Sequence, residues 1–92
     1  RKSALQAQGI GLDEIASRVA SILGIDTAEV WALGRYRHIV KARSLLCYWA
    51  VRELGTSMAL LSRRLNISIP AVSKSVVRGE KIARDMNYKL SR

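Results

Sequence analysis

The sequence predicts an all-α fold, a small helical bundle that contains a helix-turn-helix. Apolar residues recur at helical spacing along most of the chain, and β-branched residues nowhere alternate with polar ones for long. The 92 residues also include a single proline, so helices are seldom interrupted. This length allows one domain with one modest core. We place the domain at residues 12–92 and interpret residues 1–11, which are mostly polar and small, as a linker or tail.

The first helix is predicted over residues 12–23. Its apolar residues share one arc of the helix and its polar residues share the other, which is typical of an amphipathic helix packed on a core. Asp13 and Glu14 in the first turn suit the positive end of the helix dipole. Gly24 is a natural stop, so the helix is expected to end before it.

A second, shorter helix is predicted over residues 27–33. Asp26 precedes it and Glu29 follows three residues later, which is the spacing of a capping box. Val30 and Trp31 supply apolar anchors for it, and Gly34 ends it. The first two helices form a hairpin without excess positive charge ahead of the basic part of the chain.

The third helix, predicted over residues 37–54, would be roughly 27 Å long. Its apolar residues cover a wide arc, so we expect it to be the central helix, touched on several sides. Arg43 falls inside that arc. Either its side chain reaches past the edge of the core, or the start of the helix stands free of the bundle against a partner. The narrow polar stripe of this helix consists of Lys41, Ser44, Tyr48 and Arg52.

The last two helices have the pattern of a helix-turn-helix. Ser57 can cap a helix over residues 58–65, and Asn66 tolerates the left-handed conformation that a tight corner needs. Ser68 can cap the final helix, with Pro70 in its first turn, where a missing N–H costs nothing. The final helix has an inner arc of Val72, Val76, Gly79, Ala83 and Met86, and an outer arc, without an acid, of Pro70, Ala71, Lys74, Val77, Arg78 and Lys81.

Positive charge is concentrated in one part of the chain. Residues 35–78 contain nine basic residues and one acid, Glu53, which is +8 of the chain's net charge of +9. A basic half on a neutral support is typical of a protein that binds the phosphate backbone of a nucleic acid. The alternative interpretation is that these side chains only keep a small domain in solution. That role does not require the positive charges to lie in one part of the chain, so we favour nucleic-acid binding.

Catalytic and metal chemistry have few residues to use. Cys47 is the single cysteine and His38 the single histidine, so the sequence offers no internal disulfide, no zinc-ligand cluster and no catalytic triad. We therefore expect neither enzyme activity nor a metal or cofactor. No apolar run approaches the roughly 18 residues of a membrane span. A lone cysteine is typical of proteins in the reducing cytoplasm. Together with the basic charge, it leads us to expect a cytoplasmic protein associated with the nucleoid.

The aromatic residues divide into two groups. Trp31 and Trp49 fall on apolar arcs and are expected in the core, as is Cys47. Tyr36 lies in the basic stretch, and two interpretations stay open for it: a hydrogen bond to a phosphate, or simple packing. His38 is expected at the surface, where acidic pH could add one phosphate contact.

Two segments carry a resemblance to a known family. Residues 34–48 (GRYRHIVKARSLLCY) and 57–65 (SMALLSRRL) resemble the C-terminal DNA-binding domain of the bacterial replication initiator DnaA, a helical domain of Trp repressor-like architecture. The order of helices agrees with that family, and the resemblance covers residues 12–81. The basic loop with its following AR pair is fairly specific, whereas the helix-turn-helix alone is not.

The resemblance implies which part of the DNA each positive side chain contacts. In that family a basic loop before the long helix sends an arginine into the minor groove of DNA, and Arg35 occupies the matching place, with Arg37 the next candidate. Lys41 and Arg43 match positions near the DNA backbone. The final helix enters the adjacent major groove.

The start of the final helix departs from the initiator family, which has Asp-His-Thr-Thr there, where residues 68–73 read SIPAVS. This variant resembles the related domain appended to some REP-associated tyrosine transposase-like proteins. Ile69, Pro70 and Ala71 can only touch thymine methyl groups, while Ser73 can hydrogen-bond either way. Lys74 and Arg78 are further major-groove candidates, with a guanine edge the natural target of Arg78.

The helix starts at Ser57 and Ser68 offer a second kind of contact. Both serines act first as caps, and the backbone N–H groups beside them could also bind phosphate. The sequence therefore predicts a monomeric domain that binds double-stranded DNA with partial sequence selectivity, as a segment of a replication initiator-like or transposase-like protein. The alternatives are the DNA-binding domain of a transcription regulator, an RNA-binding module and a helical protein-interaction module.

Overall fold

The computed structural model describes residues 11–32 and 34–89, and this part of the chain contains helices and no strand. The predicted all-α class is thus confirmed. None of these helices is both long enough and apolar enough to cross a membrane. The helices are α1 (Leu12–Leu23), α2 (Thr27–Val30), α3 (Arg37–Trp49), α4 (Met58–Leu65) and α5 (Ile69–Met86), and α3 continues into a π-helical segment, Ala50–Leu54.

Helix α1 has the bounds that its apolar pattern predicts. The N–H of Gly11 donates to Oε1 of Glu14 over 2.7 Å at the start, and Gly24 ends the helix in the left-handed region with φ +69°. Ile15 and Val19 are fully buried, which confirms the predicted inner face. Of the predicted linker, residues 1–10 lie outside the described residues.

Helix α2 is shorter than predicted. The capping interaction is present, since the N–H of Asp26 donates to Oε2 of Glu29 over 3.1 Å. The helix nevertheless ends at Val30 because the N–H of Ala32 bonds to the carbonyl of Glu29, three residues back, and so tightens the last turn. Leu33, at the predicted end, lies outside the described residues.

Helix α3 is the central element, as predicted, and it packs most extensively against α5. Leu45 and Leu46 have no exposed surface. The prediction of one α-helix over residues 37–54 is confirmed in extent but not in type, because the last five residues widen into the π-helical segment. Gly55 then ends the element with φ +82°.

The predicted polar stripe of α3 is wrong at Ser44, which is fully buried. Helix α5 crosses α3 there, and Gly79 lies directly on the Ser44 carbonyl group. A Cβ at position 79 would clash with the Ser44 carbonyl oxygen and lie 2.7 Å from Cβ of Tyr48. The small residues Ser44 and Gly79 therefore let α5 pack closely on α3 at this point of the stripe.

The helix-turn-helix formed by α4 and α5 is confirmed. The Ser57 hydroxyl accepts from the N–H of Leu60 over 3.1 Å, and Asn66 adopts φ +57° at the corner. The Ser62 hydroxyl donates to the carbonyl of Ile67, which ties the corner back to α4. Leu61, Leu65 and Val72 close the apolar contact beneath it.

The outer arc of α5 is free of other elements, as predicted. Lys74, Val77 and Arg78 are exposed, whereas Ala71 is half-buried. Two details of the predicted arcs are wrong. Met86, predicted to face inward, is 53% exposed because it lies in the last turn of the helix. Asp85, also exposed, falls one turn after Lys81 on the outer face, so that face carries an acid at its end.

Candidate nucleic-acid interface

A shallow groove of about 370 Å³ joins the loop before α3 to the outer face of α5. Positive side chains from both elements line it, and no acid is among the described residues of its lining. Within the described ranges, no carboxylate pairs with Arg35, Arg37 or Arg78. The lining residues are Arg35, Arg37, Val40, Lys41, Arg78 and Ile82. The structure thus brings the predicted loop residues and the predicted final-helix residue Arg78 together.

The backbone of the loop is held by its connection to α3. Tyr36 is the N-cap residue, with an extended backbone (ψ +141°). Its carbonyl accepts from the N–H groups of Ile39 and Val40 over 3.0 and 2.9 Å. Because the cap fixes the residue between them, Arg35 and Arg37 project from a defined backbone.

Arg43 supports this loop from within α3. Its Nη1 donates to the carbonyl oxygen of Gly34 over 3.3 Å, and Gly34 has φ +135°, which favours glycine. The side chain therefore reaches past the edge of the core, the first of the two predicted alternatives. In this arrangement Arg43 positions the loop that carries Arg35.

Lys41 lies at the other end of the groove. Its ammonium is 5.8 Å from the centre of the Tyr88 ring, a cation–π distance. Tyr88 follows α5, and its N–H donates to the carbonyl of Ala83 over 2.8 Å. The Tyr88 ring thus restricts where the Lys41 ammonium lies at the groove.

Tyr36 is 73% exposed, which makes it the most exposed large apolar side chain of the described residues. Its ring stacks on that of His38, with centroids 6.2 Å apart. Nε2 of His38 in turn lies 3.1 Å from Oε1 of Glu29. The ring is therefore exposed and not part of the core, and the ring it contacts among the described residues is that of His38.

The start of α5 presents the predicted polar and apolar groups to solvent. The Ser68 hydroxyl accepts from the N–H of Ala71 over 3.2 Å, which confirms the cap. Ile69 is 49% exposed, and Pro70 and Ser73 are exposed as well. The start of α4 has two further N–H groups, those of Met58 and Ala59, ahead of the first helical hydrogen bond to the Ser57 carbonyl.

Two of the nine basic residues are occupied elsewhere. The Arg64 guanidinium lies 4.4 Å from the centre of the Trp31 ring and its Nη2 is 3.5 Å from Oδ1 of Asp13. Nη2 of Arg52 is 3.6 Å from Oε1 of Glu80. The positive surface is therefore narrower than the sequence indicates, and Trp31 is half-buried under a guanidinium while Trp49 is in the core.

The apolar floor of the groove, Val40 and Ile82, is absent from the sequence prediction. Ile82 follows Arg78 by four residues, so a helical wheel places the two on one side of α5. Val40 could not be assigned, because its role depends on how α3 crosses α5. The floor matters because apolar walls leave the cationic charges less screened than open water does.

Cys47 is the one described cysteine, and it is fully buried. Burial raises the pKa of its thiol to about 11, against smaller opposing effects from the charge of Arg43 and a hydrogen bond with Ser75. The thiol is therefore protonated at neutral pH and is a poor nucleophile. Within the described residues, no three potential metal ligands lie together.

Comparisons of the chain with protein-family models, with curated proteins and with solved structures find no match. The resemblance to the initiator domain thus rests on residues 34–48 and 57–65 of the sequence.

Proposed function

We propose that this chain is a DNA-binding domain that recognises double-stranded DNA. Helix α5 lies in the major groove, and the loop that carries Arg35 and Arg37 reaches the adjacent minor groove. The observation that carries the proposal is the groove in which these two arginines meet Arg78 of α5. One continuous basic surface thereby joins two elements that a duplex would contact in neighbouring grooves.

The dimensions of the two elements suit a duplex. A helix with its side chains is about 10–12 Å wide, close to the roughly 12 Å width of the major groove. The outer face of α5 is uncovered over at least three turns, from Ile69 to Lys81. A loop beside such a helix meets the phosphates that separate the two grooves, and cations there release counterions on binding.

The candidate residues have different roles in this arrangement. Arg35 enters the minor groove, while Arg37 and Lys41 meet the flanking phosphates. Arg43 holds the loop. The backbone N–H groups beside Ser57 and Ser68 bind phosphate at the two helix starts, since a helix start combines free donors with a positive dipole. Base contacts come from the start and outer face of α5, with Ile69, Pro70, Ala71, Ser73 and Lys74 as the candidates.

The test is a titration by fluorescence anisotropy of labelled duplex DNA, single-stranded DNA and RNA, each at two salt concentrations. We expect the duplex to bind most tightly and to lose affinity as salt rises. Arg35→Ala should weaken duplex binding by about 1–3 kcal/mol. Arg64→Ala is the matched control, because it removes one positive charge from the side that faces Asp13, and it should change affinity far less.

The other outcomes identify the alternatives. Preferential binding of RNA would indicate an RNA-binding module, and the absence of salt-dependent nucleic-acid binding would favour a helical protein-interaction module. Selection of a binding site from random duplex DNA distinguishes an initiator-type site from that of a transposase-like protein or a transcription regulator. A DNA-binding domain of this kind would act in the cytoplasm, on the nucleoid.

A further inference from the structure

The outer face of α5 is divided lengthwise into two rows. At about 100° per residue, Lys74, Arg78 and Lys81 fall within an arc of about 60°. Pro70 and Val77 fall beyond the Lys81 edge of that arc. The first row is cationic and the second is apolar, whereas Ile69 falls about 80° beyond Val77 and almost opposite Arg78, outside both rows.

The apolar row is well exposed. Val77 is 62% exposed, and Pro70 is exposed too. Single apolar residues on a surface are ordinary. Here Pro70 and Val77 lie beside three cations on one helix face, so the surface combines apolar contact with charge complementarity to a polyanion.

The order of the rows follows from the groove. Arg78 and Ile82 line the groove together with Arg35, so the cationic row borders the loop. The apolar row lies on the far side of the cations. With the loop in the minor groove, the cationic row meets the phosphates at the groove boundary, and the apolar row faces the floor of the major groove.

We infer that the apolar row of Pro70 and Val77 reads DNA through the 5-methyl groups of thymine, while Arg78 contacts the backbone. The inference rests on the proposed function. The thymine methyl is the apolar group that base pairs present in the major groove, so it is the natural partner of side chains without donors or acceptors. Val77 is added to the predicted base contacts, and Ala71 is left out because it is half-buried on the groove side of the helix.

The test compares two short duplexes of alternating A·T sequence, one with thymine and one with deoxyuridine in its place. The probes differ in the 5-methyl group. We expect the wild-type protein to bind the thymine duplex about threefold or more tightly, since each methyl that is buried contributes to affinity. Val77→Ser should lose affinity for the thymine duplex and leave affinity for the deoxyuridine duplex nearly unchanged.

Lys74→Ala is the matched control on the same helix. It should weaken binding to both duplexes by the same factor, because it removes a charge and no methyl contact. Both variants change exposed side chains, and an unchanged melting temperature verifies the fold. Equal affinity of the wild type for the two duplexes overturns this inference and leaves duplex binding intact. Failure to bind either duplex overturns the proposed function itself.

Discussion

At the scale of single residues, Gly79 decides how closely α5 lies on α3. The position lacks a Cβ, and a Cβ there would clash with the Ser44 carbonyl oxygen, which is part of the backbone and has little room to move. The same contact sets where Arg78, the next residue back, stands relative to the loop before α3. A packing detail therefore controls the geometry of the candidate interface.

Gly79→Ala is expected to destabilise the protein. Alanine gains about 1 kcal/mol over glycine in helix propensity, but overpacking against the backbone of α3 should outweigh this gain and leave a net loss of about 1–3 kcal/mol. Urea denaturation followed by circular dichroism measures the change. Gly24→Ala is the comparison, since nothing lies within 4 Å of an added Cβ there and only the φ of +69° opposes it. Equal stability of Gly79→Ala and the wild type would contradict the close crossing.

The buried thiol of Cys47 makes the stability of the protein depend on pH in the alkaline range. Its pKa is raised by burial to about 11 from the usual 9.0, so the unfolded chain releases this proton at a lower pH than the folded chain. The thiol therefore contributes stability that is complete below about pH 9 and is lost as the pH rises through about 11.

We expect the free energy of unfolding to fall by about 2–3 kcal/mol between about pH 8 and pH 11 because of this one group. Denaturation of the wild type and of Cys47→Ala across that range isolates the effect, since lysine and tyrosine titration is common to both proteins. Identical pH dependence of the two would show that the thiol is not buried as described. Alkylation of the native protein at neutral pH should be slow for the same reason.

The side-chain directions of the site were only partly predictable. The wheel for the final helix correctly placed Lys74 and Arg78 outside and Val72 inside, because helical periodicity depends on sequence alone. It could not show that Arg64 stacks on Trp31, since that contact joins helices distant in the chain. Nor could it show that Ser44 is buried, because burial there depends on the small residue Gly79 of another helix.

At the scale of elements, the caps of the helix-turn-helix fix where α5 begins. Ser68 accepts from the N–H of Ala71, and Pro70 fits the first turn without losing a hydrogen bond. The cap is exposed and lies at the end of the helix that we propose enters the major groove. Its contributions to folding and to binding can therefore be separated.

Substitutions of Ser68 should separate them. Ser68→Asp and Ser68→Asn both keep an N-cap acceptor, so each should stay within about 0.5 kcal/mol of wild-type stability, whereas Ser68→Ala should lose about 1 kcal/mol. In duplex binding Ser68→Asp alone adds a negative charge near phosphate and should weaken affinity by about threefold to tenfold. Thermal melts and anisotropy give the two quantities. Equal duplex affinity of the Asp and Asn variants would remove this helix start from the interface.

The observed helix ends agree with the predicted ends where a residue at that position acts as a local signal, and they differ elsewhere. Gly24, Ser57 and Asn66 act through their own backbone or side chain, so the ends they set were predictable. The early end of α2 and the π-helical segment after α3 arise from changes in the backbone hydrogen-bonding pattern. They depend on how the surrounding helices pack, and residue type alone does not determine them.

At the scale of the whole molecule, four cations from distant parts of the chain gather at one groove. The groove carries Arg35, Arg37 and Arg78, whereas Arg64 on another side is neutralised by Asp13. The concentration of charge was predictable from the sequence, because counting needs no structure. The sequence could not show which of these positive side chains are paired with acids, because those ion pairs join segments that are distant in the chain.

The salt dependence of duplex binding should reflect this surface. Four cations line the groove, so the slope of log affinity against log salt is expected to be about −3 to −5 for the wild type. Arg78→Ala should make the slope less steep by about one, since it removes one phosphate contact. Anisotropy titrations at several salt concentrations measure both slopes. An unchanged slope in Arg78→Ala would place Arg78 away from the backbone.

The close contact of α5 with α3 at Gly79 lies off-centre along α5. Arg78 adjoins Gly79 and is nearly stationary when α5 tilts about that point. Ile69 lies ten residues away, about 15 Å along the axis, so a tilt of about 10° displaces it by about 2.6 Å. Helix α4 follows as one piece with that end, since the Ser62 hydroxyl clamps the corner at the Ile67 carbonyl. A tilt about Gly79 would therefore move the end of α5 that carries the candidate base contacts of the proposed complex and leave Arg78 almost in place.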